Sequence, residues 1–402
     1  MERQILHIDV NNAFLSWTAV DMLKNGYELD IRTIPAIIGG DESRRAGIVL
    51  AKSSIAKEFG IVTGETIYSA RKKCPQIKIF PTNFKVYMEY SNKLYNLLLE
   101  YTDIIERFSI DECFLDMTNY LQKQTLLEKA TEISKRVKNE LGFTVNIGVA
   151  HNKLLAKMAS DFQKPDRIHT LFKNEIIEKM WKLPVGELFM IGRKSVPKLN
   201  NMQIKTIGDL AKTDINMLIK RFGKHGKLMW EYANGIDNSE VQYKYEKPKG
   251  VGNSVTLPID ISDINKLSEI VLSLTEHVTY RLRKYDLLAN VVNVQLRTNN
   301  FYNYSHQGRL DIATSSTKII YQKARQLLEE MYKGEPVRLV GVRVDSLEDK
   351  ETMQLNLFTN ENMEKQTKLD ETLDQLKEKY GYNTISRAGK MNVDDIVKYK
   401  QE

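Results

Sequence analysis

The sequence predicts an α+β protein of several domains, and three observations carry that prediction. Over the first ~165 residues, short apolar runs bounded by turn residues alternate with stretches of helical periodicity, the pattern of helices packed on a mixed sheet. Pro165 and Pro184 then mark a change to basic, mostly helical sequence. Between Gly250 and Ser346 a single β-α-β-β-α-β order of elements fits, which is a split-βαβ arrangement. The 402 residues exceed one ordinary domain, and a hydrophobic share of 42% builds real cores and excludes a mainly disordered chain.

The elements follow in order. Ile5-Leu6-His7-Ile8 is an apolar run ending at Asp9 and reads as a buried strand. Residues 33–38 and 47–51 read as two more strands, separated by the polar turn Gly39-Gly40-Asp41-Glu42-Ser43-Arg44-Arg45. Residues 53–59 read as a short helix closed by Gly60. In residues 85–101, Tyr87, Tyr90, Leu94, Leu97, Leu98 and Tyr101 recur at helical spacing, so that helix packs on a sheet. Residues 106–118 alternate like strand, turn and strand, with the turn near Asp111. Residues 126–141 read as helix, 144–149 as strand and 153–162 as helix. The charged stretch 243–249 reads as a linker. Past it, helices are predicted at 263–285 and 316–332, and strands at 291–297 and 337–344. The tail is polar except for Met353 to Phe358 and a helix near 366–380.

The formal net charge of +7, with a pI near 9.0, suits a polyanionic partner without proving one. Residues 186–250 hold 12 Lys/Arg against 7 Asp/Glu, whereas residues 349–402 hold 9 against 11. The middle of the chain is therefore the better candidate for phosphate contact. Cys74 and Cys113 are the two cysteines, with neither zinc spacing nor a disulfide framework. The N-terminal residues lack a signal peptide's apolar run, and no segment approaches the ~18 apolar residues of a membrane span. The expectation is a reduced, cytoplasmic protein.

Three carboxylates suggest chemistry. Asp9 ends one strand, and Asp111 and Glu112 sit at a hairpin tip about 100 residues later. Crowded carboxylates cost folding energy unless a counter-ion joins them. Two divalent cations about 3.5–4 Å apart would neutralise them and suit in-line phosphoryl transfer, one acting on the attacking hydroxyl and the other on the leaving pyrophosphate. Magnesium, with its preference for hard oxygen ligands and substrate phosphates, fits such a site. Taken alone, the same residues read more readily as an ordinary turn pair and a helix-capping aspartate than as a metal site.

Their surroundings decide between these readings. His7-Ile8-Asp9-Val10-Asn11-Asn12-Ala13-Phe14 resembles the first motif of the Y-family (translesion) DNA polymerases. Arg107-Phe108-Ser109-Ile110-Asp111-Glu112-Cys113-Phe114 and the four residues after it resemble the second. Residues 44–51 and 57–61 resemble the fingers segment, and residues 147–165 a late palm segment. Order and spacing match over residues 1 to about 350. The resemblance, which extends to bacterial polymerase IV and polymerase V catalytic-subunit-like proteins, implies a right-hand polymerase. Its palm would be residues 1–11 and 83–168, its fingers 12–82 and its helix-hairpin-helix thumb 169–242. A linker at 243–249, a split-βαβ little finger at 250–347 and a tail at 348–402 would follow.

The resemblance also implies roles. Asp9, Asp111 and Glu112 would be catalytic and hold two Mg2+ ions, with the Val10 main-chain carbonyl assisting. Phe14 falls on the steric gate, a ring under the deoxyribose that refuses a 2′-hydroxyl. Lys164 falls on the lysine that reaches the triphosphate. Departures occur at Asn11, where many relatives carry an acid, at Ser54 in place of a phosphate-binding tyrosine, and at Lys57 in place of an arginine. Ser54 is too short to replace the ring and Lys57 is a point charge rather than a fork, so Lys52, Ser53 and Ser54 are all candidates to share the triphosphate grip.

Residues 188–194 with 201–210 resemble a helix-hairpin-helix, in which backbone N–H groups hold phosphates; Gly192, Arg193 and Lys194 would touch DNA. Met190 stands where the first glycine is usual, so that hairpin is degenerate. In the little finger, Arg297 and Arg343 on strands would track template phosphates, with Thr298, Asn299 and Asn300 nearby. Met353-Gln354-Leu355-Asn356-Leu357-Phe358 resembles the bacterial sliding-clamp peptide, in which Gln354 would orient and Leu357 and Phe358 would anchor in an apolar pocket, with Leu355 also among the clamp-binding residues. Gly39-Gly40-Asp41-Glu42 mimics a diguanylate cyclase signature but lies in a turn between fingers strands, and is read as a decoy. The expected partners are primer–template DNA, deoxynucleoside triphosphates and the clamp, for a monomeric lesion-bypass enzyme. The rivals are a non-catalytic, clamp-tethered DNA-binding protein and a nucleotide cyclase.

Overall fold

A computed structural model describes residues 2–40, 47–121, 124–244, 247–350, 361–381 and 384–385. The clamp-like residues Gln354, Leu355, Leu357 and Phe358 and the turn residues 41–46 lie outside the described residues. The chain divides into two compact units, at about residue 245.

The first unit opens with β1 (Ile5–Val10), all six residues buried, so the strand runs through Asp9 rather than stopping there. Asn12, with a φ of 48°, turns the chain into α1 (Ala13–Lys24). The strand expected at 33–38 is only β2 (Ala36–Gly39). The Asp30 carboxylate accepts the Arg32 N–H and winds Ile31–Thr33 into a 3-10 turn first. Next come β3 (Val49–Lys52) and α2 (Ser54–Glu58), then α3 (Ile67–Lys73) and β4 (Lys78–Pro81), the last two absent from the sequence reading. Strands β3, β2 and β4 form a small sheet in that order.

Then follow α4 (Phe84–Leu99), β5 (Ile105–Arg107), β6 (Glu112–Asp116), α5 (Leu126–Arg136), β7 (Val145–Ala150), α6 (Lys153–Asp161) and β8 (Ile168–Thr170). A capping box of Thr125 and Glu128 starts α5, which ends in a π turn before Gly142. The second sheet has the order β5-β6-β1-β7-β8. Strand alternation gives it two different faces. Leu6, Ile8 and Val10 join Trp17, Tyr87, Tyr90, Ile133 and Phe143 in the core under α1, α4 and α5. Ile5 faces the other way, with Phe114, Ala150 and the apolar residues of α6.

That second core continues into α7 (Val196–Asn200), α8 (Ile207–Lys212), α9 (Ile215–Phe222) and α10 (Lys224–Ala233) through Ile191, Leu199, Ile207, Leu210, Leu218 and Met229. The Trp181 indole N–H donates to the Ala233 carbonyl at 2.9 Å and ties the start of this region to its end.

The second unit contains β9 (Gly250–Ile261), α11 (Ile264–Lys284), β10 (Leu287–Thr298), β11 (Asn303–Thr314), α12 (Thr317–Met331) and β12 (Val337–Asp349). Its sheet has the order β11-β10-β12-β9. Because β12 runs antiparallel to both β9 and β10, those two are parallel with a strand between them, which is the split-βαβ arrangement. Strands β10 and β12 outrun the ranges read from sequence because they stay paired from Leu287 and Asp349 inward. A last helix, α13 (Glu361–Tyr380), packs on this unit: Asp370, buried, accepts the Thr317 N–H, and Arg283 pairs with Asp374.

Met190 has a φ of 70°. The degenerate hairpin therefore keeps a glycine-like backbone and sets a methionine on it, at a cost of about 1 kcal/mol. Met190 is about half exposed and surrenders little packing if removed. Met190→Gly is expected to raise stability by about 1 kcal/mol in chemical denaturation; an unchanged or lower midpoint would show the turn is not strained.

Candidate active site

Antiparallel register sets Asp9 directly opposite Glu112 on one side and Asn146 on the other. Period-2 alternation puts Asp9 and His7 on the α6 side of the sheet with Ile5. What comes down on that side is decided by Gly148, the register partner of His7. A Cβ on Gly148 would lie 1.8 Å from the Ala156 carbonyl, so only glycine lets α6 press this close. Asn146 Nδ2 then donates to the Ser160 and Gln163 carbonyls, and His7 Nδ1 lies 2.8 Å from Ser160 Oγ.

This seating brings Lys157 of α6 into the acids. Its Nζ lies 3.4 Å from Asp9 Oδ2, 3.1 Å from Glu112 Oε1 and 3.2 Å from Asp161 Oδ2. Lys164 Nζ lies 2.9 Å from both Asp9 Oδ2 and Asp161 Oδ1. Asp111 stands one residue from Glu112, and its main-chain oxygen accepts the Val10 N–H at 3.1 Å. Its carboxylate turns to the Ser109 hydroxyl, at 2.6 Å. Of the expected residues, Lys164 is thus in contact with Asp9, Glu112 is Asp9's register partner and shares Lys157 with it, and Asp111 and Val10 are joined through the backbone. Among the described residues no three acid, histidine or cysteine side chains converge on one metal-sized point. The two ammonium groups stand between the carboxylates instead.

Burial pushes the Asp9 carboxyl up to about 6, against the pull of Lys164 and Lys157. Burial also opposes ionisation of Glu112, but the His7 contact and the Lys157 ammonium outweigh it and hold that carboxyl at about 2. Desolvation lowers His7 to about 4, so its ring is neutral near pH 7. Lys157 and Lys164 are both held above the usual lysine value, burial being outweighed by the surrounding carboxylates. The donor set fits a divalent cation. Two ionisable carboxylates face each other with a third beside them, and the charges now between them sit on flexible lysine stems.

Phe14 stacks on Tyr87, with ring centroids 4.5 Å apart and planes at 22°, and packs edge-on against Phe84. Ser53 is spent on structure. Its buried hydroxyl oxygen accepts the Ala36 and Ala56 N–H groups and donates to the Ile34 carbonyl. Ser54 and Lys57 are exposed on α2, and Lys52 reaches Thr63 Oγ1 at 3.3 Å. Gly192, Arg193 and Lys194 are exposed in the turn before α7. Arg343 pairs in register with Asn293, four residues from Arg297 on β10, so both arginines share the sheet face turned away from α11 and α12. Arg343 is engaged by Asp345 at 2.7 Å, and Arg297 Nε donates to Asn303 at 2.6 Å.

Sequence reading did not single out Lys157, Asp161 or His7. The signal was a lone lysine in a helix buried from Leu154 to Ser160, since a cation there must have acidic partners.

Residues 8–161 match the impB/mucB/samB family, residues 248–357 that family's C-terminal domain, and residues 187–237 the DNA polymerase-iota thumb domain. The chain is 50% identical over 388 residues to a DNA polymerase IV of Clostridium acetobutylicum, covering 96% of this chain and 98% of that one. It is 37% identical to a DNA polymerase IV of Acetivibrio thermocellus, covering 96% and 97%. The chain belongs to the Y-family of DNA polymerases. A solved Y-family DNA polymerase chimera shares the fold, with a TM-score of 0.74 at 23% identity, covering 86% of this chain and 99% of that one. Y-family membership carries dependence on a divalent metal and disfavours the cyclase and non-catalytic readings. Among the described residues, no helix is long and apolar enough to cross a membrane.

Proposed function

We propose that this Y-family polymerase extends a primer 3′ end opposite a template, in lesion bypass, at the cluster of Asp9, Asp111 and Glu112. The observation that carries this reading is the facing pair Asp9 and Glu112 on adjacent strands, with Asp111 beside them. These three, with the Val10 carbonyl, would hold two magnesium ions. When bound, such ions lower the pKa of the attacking hydroxyl and stabilise the leaving pyrophosphate.

The chain's own groups do the rest. Lys164, a third exposed, leans on Asp9 and Asp161 and is free to exchange them for the phosphates of an incoming nucleotide. Lys57 and Ser54 on α2 supply a point charge and a short hydroxyl to the same phosphates; Ser53, being buried and saturated, does not. Phe14, braced by Tyr87, presents a fixed edge of the sugar pocket. Gly192, Arg193 and Lys194 hold phosphates through the thumb turn, and Arg297 and Arg343 do so through the open sheet face. Because Asp345 already engages Arg343, its grip on DNA is moderated. Gln354, Leu355, Leu357 and Phe358 bind the bacterial sliding clamp, and the enzyme acts as a cytoplasmic monomer.

Three measurements test this. In primer extension with Mg2+ and four deoxynucleoside triphosphates, Asp111→Ala is expected to lower the rate by about a thousandfold, on the scale of losing one electrostatic stabiliser, while DNA binding survives; near wild-type extension would remove Asp111 from the site. Phe14→Ala is expected to admit ribonucleotides, and equal sugar discrimination in both proteins would sink the gate. Leu357→Ala with Phe358→Ala is expected to leave clamp-free extension unchanged and to abolish the longer products seen with added clamp, since the clamp acts by raising local concentration. Clamp stimulation that persists would place that contact elsewhere.

A further inference from the structure

The cluster holds more charge than the phosphoryl-transfer reading uses. Asp161 adds a third carboxylate to Asp9 and Glu112, and two lysines answer them. The lysines are not equivalent. Lys164 is a third exposed, lies past the end of α6 and has phosphates to meet. Lys157 is 8% exposed on a helix buried on every side, and touches all three acids at 3.1–3.4 Å. Its place is set by Gly148, which admits α6 to the strand beside Asp9, and by the ties from Asn146 and His7 to Ser160. When Lys164 turns to a nucleotide, Lys157 is the cation that stays.

A cation at that point has two effects. Without metal, it keeps two facing carboxylates from repelling each other out of register. With metal, it repels the incoming ion and weakens binding until a negatively charged triphosphate joins the site. We propose that Lys157 is the resident counter-ion of the active site: a positioning residue that keeps Asp9 and Glu112 in place before metal arrives and makes tight metal binding depend on bound nucleotide. The proposal rests on the assignment of Asp9 and Glu112 as ligands.

The test is Mn2+ binding to full-length protein without nucleotide, followed by the paramagnetic resonance of free Mn2+, alongside metal-free thermal melting. Lys157→Met is expected to bind Mn2+ at least about tenfold more tightly than wild type. It is also expected to melt lower in chelator and to recover when Mn2+ is added. Lys157→Arg, which keeps the charge, should behave as wild type. The double variant Lys157→Met with Glu112→Gln removes one charge of each sign. It should regain metal-free stability and lose the tight binding. Unchanged or weaker Mn2+ binding in Lys157→Met overturns the counter-ion role while leaving the ligand assignment standing. Tight binding retained by the double variant means the ion lies elsewhere and overturns both. Should Lys157→Met fail to fold without metal, the double variant decides: folding supports charge balance, and failure makes Lys157 a packing residue and overturns the proposal.

Discussion

Like charges set side by side on a buried sheet face are the constraint on which the rest of the structure depends. Asp9 and Glu112 are register partners on adjacent strands, and neither is free to move away without breaking the ladder. Their repulsion and their desolvation both penalise ionisation. The fold answers with cations rather than with distance. Lys157 arrives on α6 and Lys164 just after it, and both arrive only because Gly148 gives up its side chain to the Ala156 carbonyl. The asymmetry between a carboxyl pushed up to about 6 at Asp9 and one held at about 2 at Glu112 follows from depth. Asp9 is the more desolvated, and Glu112 has the His7 contact as well as the Lys157 ammonium to hold it ionised.

The two faces of the five-stranded sheet divide the labour. The side under α1, α4 and α5 is a continuous apolar core with large aromatic rings, which holds β1 rigid and braces Phe14 through Tyr87. The α6 side carries His7, Asp9, Glu112 and Asn146 beside the apolar residues of α6. A strand with one apolar face and one face carrying polar groups sets a carboxylate at a fixed point, with the buried Lys157 held beside it and the more exposed Lys164 the freer of its two counter-ions.

The second unit solves a different problem. Among the described residues of this unit, α11 and α12 cover one face of the sheet and no helix covers the other, where the glycines Gly250, Gly252 and Gly341 make room for the Arg343, Asp345 and Gln295 side chains. A Cβ at Gly252 would meet the Arg343 side chain at 3.0 Å, so Arg343 lies across its neighbour strand and pairs with Asp345. A polar sheet face with partly neutralised arginines suits backbone contact without sequence reading.

The order of elements, the α+β character and the split-βαβ pattern were legible along the chain, because hydrophobic period and turn residues are local properties, and the three carboxylates were legible as candidates through the motifs around them. The resemblance to a helix-hairpin-helix marked Met190 as standing where a glycine is usual, and its φ of 70° agrees with that. Sequence reading passed over α3 and β4, whose short runs carry no distinct period, and it started β2 too early because the capping of Arg32 by Asp30 competes with extension. It left open which of Lys52, Ser53 and Ser54 serves the nucleotide; Ser53 was removed by hydrogen bonds to residues 17 and 19 positions away. Lys157 and Asp161 join Asp9 and Glu112 through packing alone. Lys157 meets Asp9 and Glu112 across 148 and 45 positions, with Asp161 brought along four residues further on, and these contacts exist because a glycine lets a helix close on a strand, a packing event that no local pattern encodes.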